Sequence, residues 1–164
     1  MSGIHNNPTI EEHTINLLRA AIEHRATWMA LMYEEAEKMG IDAEKMARNA
    51  IRKCGHIHGE NIKNSTKNKD SLDSFGYSFV NEETIKNFEM KFKDRDNDKL
   101  YIEFNYCPLV NAWKKLGISD EKIELLCDIA MDGDRGIAET MGYNFNLPET
   151  IAKCNKTCKV NFNK

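Results

Sequence analysis

The sequence has no apolar run long enough to cross a membrane. No stretch approaches the ~18 consecutive apolar residues that a spanning helix needs. Residues 1–9 also lack the basic region followed by an apolar one that marks a secretory signal. We therefore expect a cytoplasmic protein without a membrane partner, in which residues 1–9 are flexible.

An excess of positive charge is missing as well. The 164 residues carry a formal net charge of -3 at pH 7, which provides no basic field to attract nucleic acid. A small-molecule substrate is the partner that we expect, and we leave a homo-oligomer open.

The cysteines do not form the pattern of a disulfide framework. There are five of them, an odd number, spread along a chain too large to need such a framework. We therefore expect reduced thiols.

Hydrophobic periodicity predicts two antiparallel helices in the first third of the chain. Apolar residues at helical spacing fill residues 10–39, which end at Gly40, and a second helix begins at Asp42 and ends before Gly55. Residues 61–73 are polar and aperiodic, which predicts a mobile loop. The methionines of this helical hairpin are interpreted as core-filling side chains: Met29, Met32, Met39 and Met46.

The remainder of the chain alternates strand and helix patterns. A period of two predicts strands over 75–79, 88–92 and 100–106, the last two joined by an acidic hairpin turn. The fold class is therefore α+β: an N-terminal helical hairpin packed on an antiparallel β-sheet, with further helices between strands. We expect one domain over 1–164. The other predicted elements are helices over 108–117 and from Ser119, interrupted at 133–136, and strands over 143–147 and 159–162.

Cys107 stands where a strand pattern meets a helix pattern. Pro108 follows it, and proline is favoured at the first position of a helix, so Cys107 falls at the N-cap. The N-terminal end of a helix stabilises a thiolate and lowers the pKa of a cysteine there. Cys107 is therefore a candidate nucleophile, and the alternative is a small buried packing residue.

Two carboxylates, Asp128 and Asp132, lie four residues apart on one predicted helical face. In a cleft, such a pair supports acid–base chemistry or binds a hard cation. On a solvated face it has no chemical role. Arg25, Arg48 and Arg52 are weaker candidates, able to receive a substrate carboxylate through two hydrogen bonds.

Metal-binding patterns are incomplete. His56, His58 and Glu60 would share one face of a strand, but the flanking glycines favour a loop. Cys154 and Cys158 offer only half of a zinc site, which Cys107 and Cys127 would have to complete. We expect no cofactor and no bound metal, and keep zinc or another divalent metal as the alternative.

Several motifs in order resemble the L-2-amino-thiazoline-4-carboxylic acid hydrolase family. The similarity is strongest over residues 100–162 and looser over the N-terminal helices, where His24 and Arg25 follow the general pattern. The motifs are Phe104-Asn105-Tyr106-Cys107-Pro108-Leu109-Val110, Leu126-Cys127-Asp128, Leu147-Pro148-Glu149-Thr150-Ile151-Ala152 and Cys158-Lys159-Val160-Asn161-Phe162.

The resemblance implies hydrolysis of a cyclic amidine, 2-amino-Δ2-thiazoline-4-carboxylate, to N-carbamoyl-L-cysteine. It implies Cys107, Cys127, Asp128 and Cys158 as functional positions, of which we assign Cys107, Cys127 and Asp128 as catalytic. Cys154 departs from the family pattern, which has glycine in the turn before the last cysteine. The alternative is a non-catalytic domain that binds a small molecule or zinc, since the tail also resembles vinyl-reductase-type binding domains. Substrate contacts are assigned to His24, Arg25, Asp132 and Cys158.

Overall fold

The computed structural model describes residues 2–164, and it has the α+β fold that the sequence predicts. The elements are α1 (His13–Lys38), α2 (Ala43–Ser65), α3 (Leu72–Phe79), α4 (Glu82–Phe88), β1 (Met90–Arg95), β2 (Lys99–Phe104), α5 (Pro108–Lys115), α6 (Asp120–Ala130), α7 (Asp132–Met141), β3 (Asn144–Glu149), a 3-10 turn (Ile151–Lys153) and β4 (Cys158–Asn163). The four strands form one antiparallel sheet in the order β1-β2-β4-β3.

The N-terminal pair of helices is present, but α2 is longer than predicted. It continues through Gly55 and Gly59 to Ser65, although glycine inside a helix costs about 1 kcal/mol. The reason is tertiary, because α2 and α7 approach closely where both carry glycine. A Cβ on Gly136 of α7 would lie 2.6 Å from the carbonyl oxygen of Arg52. The predicted mobile loop is accordingly reduced to residues 66–71, between α2 and α3.

The strand predicted over 75–79 is wrong, because this segment is the helix α3. Ser71 caps it by accepting a hydrogen bond from the N–H of Ser74. Phe75 and Phe79 stack with their ring centroids 5.2 Å apart, and both pack against Phe162 of β4. A spacing of four residues returns to one side in a helix and also in a strand, so this pattern is ambiguous.

The predicted interruption at 133–136 is also displaced. The helical segment is interrupted at Met131, between α6 and α7, and Gly133 and Gly136 both lie inside α7. Asp128 and Asp132 therefore belong to different helices rather than to one helical face.

The N-terminal segment, for which we predicted flexibility, makes specific contacts. Ile4 is buried in the core. The N–H and the hydroxyl of Thr9 donate to the Glu89 carboxylate at 2.6 and 2.7 Å, and Arg19 pairs with the same carboxylate at 3.0 Å. Met1 lies outside the described residues.

The core has two parts. One joins α1, α5 and α6 and contains the buried Trp113, and the other joins the sheet to α3 and α7. Accordingly, α1 packs mainly on α5, whereas α2 packs mainly on α7. Over residues 2–164, none of the helices has the length and apolar composition required to span a bilayer.

The interpretation of the methionines as core-filling is wrong for three of the four. Met29 packs against the core, but Met32, Met39 and Met46 are 63%, 73% and 40% exposed. The buried face of α1 is built mainly from alanines together with Tyr33, and these side chains leave the methionines on the outside.

Candidate active site

Three cysteines that are far apart in sequence meet in the core. Cys107 precedes α5, Cys127 lies in α6 and Cys158 begins β4, and all three belong to the same apolar cluster. Their charges would interact, since ionised Cys107 would raise the pKa of both other thiols. The structure thus brings together the three thiol positions that the resemblance implies.

Cys107 occupies the N-cap of α5, with Pro108 in the first turn, as predicted. Its backbone is fixed from both sides by Asn6, whose side chain accepts from the Cys107 N–H and donates to the Cys107 carbonyl, each at 2.8 Å. The N-terminal segment therefore helps to position this cysteine.

The predicted low pKa of Cys107 is wrong. Burial raises its pKa, and the amides of Val110 and Leu109 and the charge of Arg25 lower it by less. Burial likewise raises the pKa of Cys127 well above its ordinary value and that of Cys158 to about 12. The dipole of a two-turn helix does not offset the loss of hydration, so all three are neutral thiols at pH 7.

Asp132 is the most buried carboxylate of the α2–α7 contact, with 2% of its side chain exposed. It pairs with Arg48 at 2.9 Å, with Arg52 at 2.5 Å and with Arg135 at 3.3 Å. Both of its carboxylate oxygens are thus occupied by arginines of the fold. Asp132, predicted to bind substrate, is placed as the centre of a structural ion-pair network.

Asp128 shares two of these arginines but is more open. It pairs with Arg135 at 2.6 Å and with Arg48 at 2.8 Å, and 42% of its side chain is exposed. Partial burial raises the pKa of Asp128, but the hydrogen bonds from Arg135 and Arg48 outweigh it and hold the pKa below its usual range. Asp128 is therefore a carboxylate at neutral pH with one side facing solvent.

A polar pocket of about 230 Å³ opens beside Asp128, where α6 and α7 meet β3 and the 3-10 turn. Cys127 and the cations Arg135 and Lys153 are among the residues that line it. Glu124 pairs with Lys153 across the rim at 3.6 Å. The pocket therefore offers a thiol together with groups of both charge signs.

The two remaining predicted positions are separated. Arg25 is exposed, and its charge lowers the pKa of Cys107 and of Asp134, so it lies within electrostatic range of both. His24 lies on the outer side of α1 and contacts Trp28 edge-on, with ring centroids 5.1 Å apart. The structure does not place His24 with the thiols or in the pocket.

Sequence reasoning missed Arg135, Lys153 and Asp134. The first two line the pocket, and nothing in their local sequence distinguishes them from other surface cations. Asp134 had a signal, because it shares helical spacing with Ile137, Ala138 and Met141, which pack into the core. Burial raises its pKa to about 6.

The histidine cluster does not converge either. His56 and His58 lie in a helix, where a spacing of two separates side chains. The Nδ1 of His56 lies 3.0 Å from the Thr140 hydroxyl, whereas His58 approaches the sulfur of Cys54. Across residues 2–164, no three His, Cys, Asp or Glu side chains are grouped to hold a metal ion.

Comparison with known proteins gives one match. No curated protein and no solved structure matches the chain. The family described as L-2-amino-thiazoline-4-carboxylic acid hydrolase matches residues 19–162, which include the thiol cluster and the pocket. The chain belongs to the L-2-amino-thiazoline-4-carboxylic acid hydrolase family.

Proposed function

We propose that this protein hydrolyses a small cyclic amidine that carries a carboxylate, such as 2-amino-Δ2-thiazoline-4-carboxylate, to the open ureido thiol N-carbamoyl-L-cysteine. The observation that carries the proposal is the pocket, which joins Cys127 and Asp128 to the cations Arg135 and Lys153. Family membership supports the same reaction class.

The charges of the pocket suit a substrate with two charges of opposite sign. A protonated amidine is a planar cation, and carboxylates such as Asp128 and Glu124 bind it by charge-assisted hydrogen bonds. The substrate carboxylate then faces Lys153, which is 55% exposed and free to move toward a ligand. Arg135 keeps Asp128 oriented from the other side.

The raised thiol pKa values favour attack by water over attack by a thiolate. Water adds to the ring carbon between nitrogen and sulfur and gives its proton to Asp128. The carbon–sulfur bond then breaks, its electron pair stays on sulfur, and the sulfur takes up a proton. Both nitrogens remain on the carbon, which becomes the carbonyl of the ureido group, so the reaction consumes one water and oxidises nothing.

Cys127 then forms the wall beside the reacting atoms, and Cys107 and Cys158 lie behind it. All five cysteines are free in the structure, which supports a reducing compartment, and we place the reaction in the cytoplasm.

The test is turnover of 2-amino-Δ2-thiazoline-4-carboxylate by the purified full chain. We expect release of one thiol per substrate, followed with a thiol reagent after the protein is removed, and N-carbamoylcysteine identified by mass spectrometry. A chain that releases no thiol from this substrate overturns the proposed substrate.

Variants then locate the chemistry. Asp128→Asn should reduce kcat by about 10²–10⁴-fold, the usual effect of removing a general base, whereas Lys153→Met should raise KM with little change in kcat. Cys127→Ser should retain turnover if water is the nucleophile. The matched control is Cys154→Ser, an exposed cysteine next to the 3-10 turn, which should have no effect. Full activity in Asp128→Asn would remove this residue from the mechanism.

Cys107→Ala separates attack by a Cys107 thiolate from attack by water. The water route predicts measurable turnover in this variant, reduced by altered packing only. Complete loss of turnover in a folded Cys107→Ala variant would instead support a thiolate at Cys107 and contradict the pocket as the reaction site.

A further inference from the structure

The outward side of α1 is apolar, although the outer side of a surface helix is ordinarily polar. The inward side of this helix carries Ala26 and Ala30, both buried. Half a turn around the helix, Leu17, Trp28 and Leu31 are 60%, 61% and 47% exposed. We call this side the outer face of α1; its residues are Leu17, Ala21, His24, Trp28, Leu31 and Glu35, spaced alternately by three and four, with Met32 and Met39 beside them.

The outer face continues into an apolar groove at its C-terminal end. The groove has a volume of about 380 Å³ and lies between the end of α1 and the start of α2. Methionines dominate its wall, and their flexible side chains adapt to a partner surface. It is lined by Leu31, Met32, Ala36, Met39, Ile41 and Met46, with Glu35 at the edge.

The size of this surface matches what a stable dimer needs. The large apolar side chains of the outer face and the groove, with Leu18 beside them, are each between 36% and 73% exposed. Eight side chains of this kind present on the order of 600 Å² of apolar surface, and each partner of a standard protein interface buries roughly 800 Å². A patch of this size lies at the upper end of what monomers leave uncovered, and such patches often mark interaction surfaces.

We propose that two copies of this chain pair through the outer face of α1, antiparallel and with twofold symmetry, with Trp28 at the axis. The exposed apolar residues run from Leu17 to Met39, and Trp28 is the midpoint of that span. An antiparallel twofold about Trp28 therefore places Leu17 of each copy at Met39 of the other, at the mouth of the groove. A twofold interface of this kind is self-complementary and closes at two chains.

The polar members of the face agree with this arrangement. The same symmetry places Glu35 of one copy opposite Ala21 of the other, one helical turn from His24. His24 already contacts Trp28 edge-on, so the centre of the interface is ordered before pairing.

The first test is the mass of the full-length protein in solution, measured by light scattering after size exclusion over a range of concentrations. We expect twice the mass of the chain, and the mass of one chain for Trp28→Glu, with unchanged far-ultraviolet circular dichroism. Met39→Glu should weaken the dimer as a second, independent variant. The matched control is Ile57→Glu, since Ile57 is 64% exposed on α2 and lies outside the interface.

The second test addresses the symmetry. In a background with the exposed Cys54 and Cys154 changed to serine, Trp28→Cys should form a disulfide-linked dimer on mild oxidation. Leu17→Cys alone should not, whereas a mixture of Leu17→Cys and Met39→Cys chains should. A protein that is monomeric at every concentration, or a dimer that survives Trp28→Glu, overturns the proposal. So does a monomer that sediments with phosphatidylcholine vesicles, because a lipid surface would then be the occupant.

Discussion

The two faces of α7 place a carboxylate in opposite environments. On the face toward α2, Asp132 is 2% exposed and is bound by three arginines. On the face toward the sheet, Asp134 shares its side of the helix with Ile137 and Ala138, and within residues 2–164 its carboxylate forms no ion pair. The two acids are only two residues apart, so helix geometry alone separates their environments.

The comparison shows that the partners of a buried carboxyl group matter as much as its burial. Asp132 is the more buried of the two, yet its charge is matched by cations. Burial raises the pKa of Asp134 to about 6, and the charges of Arg135 and Arg25 only partly oppose that rise. A carboxyl group whose pKa is raised by burial lowers the stability of the fold when it is ionised, and such groups concentrate at functional sites.

The largest expected effect is at Asp132. Asp132→Asn leaves Arg48, Arg52 and Arg135 without their shared anion, and removal of one partner from a fully buried pair costs about 3–5 kcal/mol. These guanidinium groups are 26–31% exposed, so water recovers part of that cost, and we expect a loss of about 2–4 kcal/mol. Urea unfolding measures it.

The matched control for Asp132 is Asp128→Asn. Asp128 shares Arg48 and Arg135 with Asp132, but its side chain is 42% exposed. We expect a loss below about 1 kcal/mol, as for other exposed ion pairs. Equal losses in the two variants would show that burial is not what makes Asp132 important.

The next effect tests the close approach of α2 and α7. A Cβ on Gly136 would lie 2.6 Å from the Arg52 carbonyl oxygen, whereas a Cβ on Gly133 would meet only a methyl group of Ile51 at 3.7 Å. Gly136→Ala should therefore destabilise by about 2 kcal/mol through overpacking. Gly133→Ala should be neutral, or stabilising by up to about 1 kcal/mol through helix propensity. Thermal unfolding separates the pair, and the same sign for both would contradict this contact.

The glycines at this contact mark the difference between features of the fold that could be predicted from the sequence and features that could not. The N-cap of α5, the capped start of α6 at Ser119 and strand β4 were predictable, because Pro108, a capping serine and apolar alternation act locally. The full length of α2 was not predictable. Gly55 and Gly59 indicate a helix end by themselves, and only the surface of α7 makes them favourable within a helix.

The candidate site also has features that could be predicted from the sequence and features that could not. The residue types and the positions of Cys107, Cys127 and Cys158 could be taken from the sequence and its resemblance. Their ionisation could not, because the desolvation that raises their pKa values comes from elements distant in sequence. Asp128 is the converse case, since the arginines that lower its pKa come from α2 and α7.

A third, smaller effect tests Asp134 on the opposite face of α7. Its pKa is about 6 in the fold against an ordinary value of 3.8, so between these values the folded chain binds more protons than the unfolded chain. The group therefore lowers stability progressively as the pH rises from about 4 through 6. Asp134→Asn removes that cost, which linkage bounds at roughly 3 kcal/mol, and we expect a gain of about 1–2 kcal/mol at pH 8.

The gain should be much smaller at pH 4, where the folded carboxyl group is protonated and the unfolded one, with a pKa of 3.8, is only about half ionised. Thermal unfolding of Asp134→Asn and the unchanged protein at pH 4 and pH 8 measures the difference. A variant that is less stable at pH 8, or equally stabilised at both pH values, would show that the fold does not disfavour the ionised form of Asp134.

The smallest expected effect is at Glu139, on the α2 side of α7 but at its rim. Glu139 pairs with Arg52 at 2.5 Å and lies 3.4 Å from His56, yet 53% of its side chain is exposed. Exposed pairs contribute little, because water and salt screen them. Glu139→Gln should cost less than about 0.5 kcal/mol and should respond weakly to salt, measured by urea unfolding at low and high ionic strength. A loss comparable to that of Asp132→Asn would mean that the whole arginine network, rather than its buried centre, holds α2 against α7.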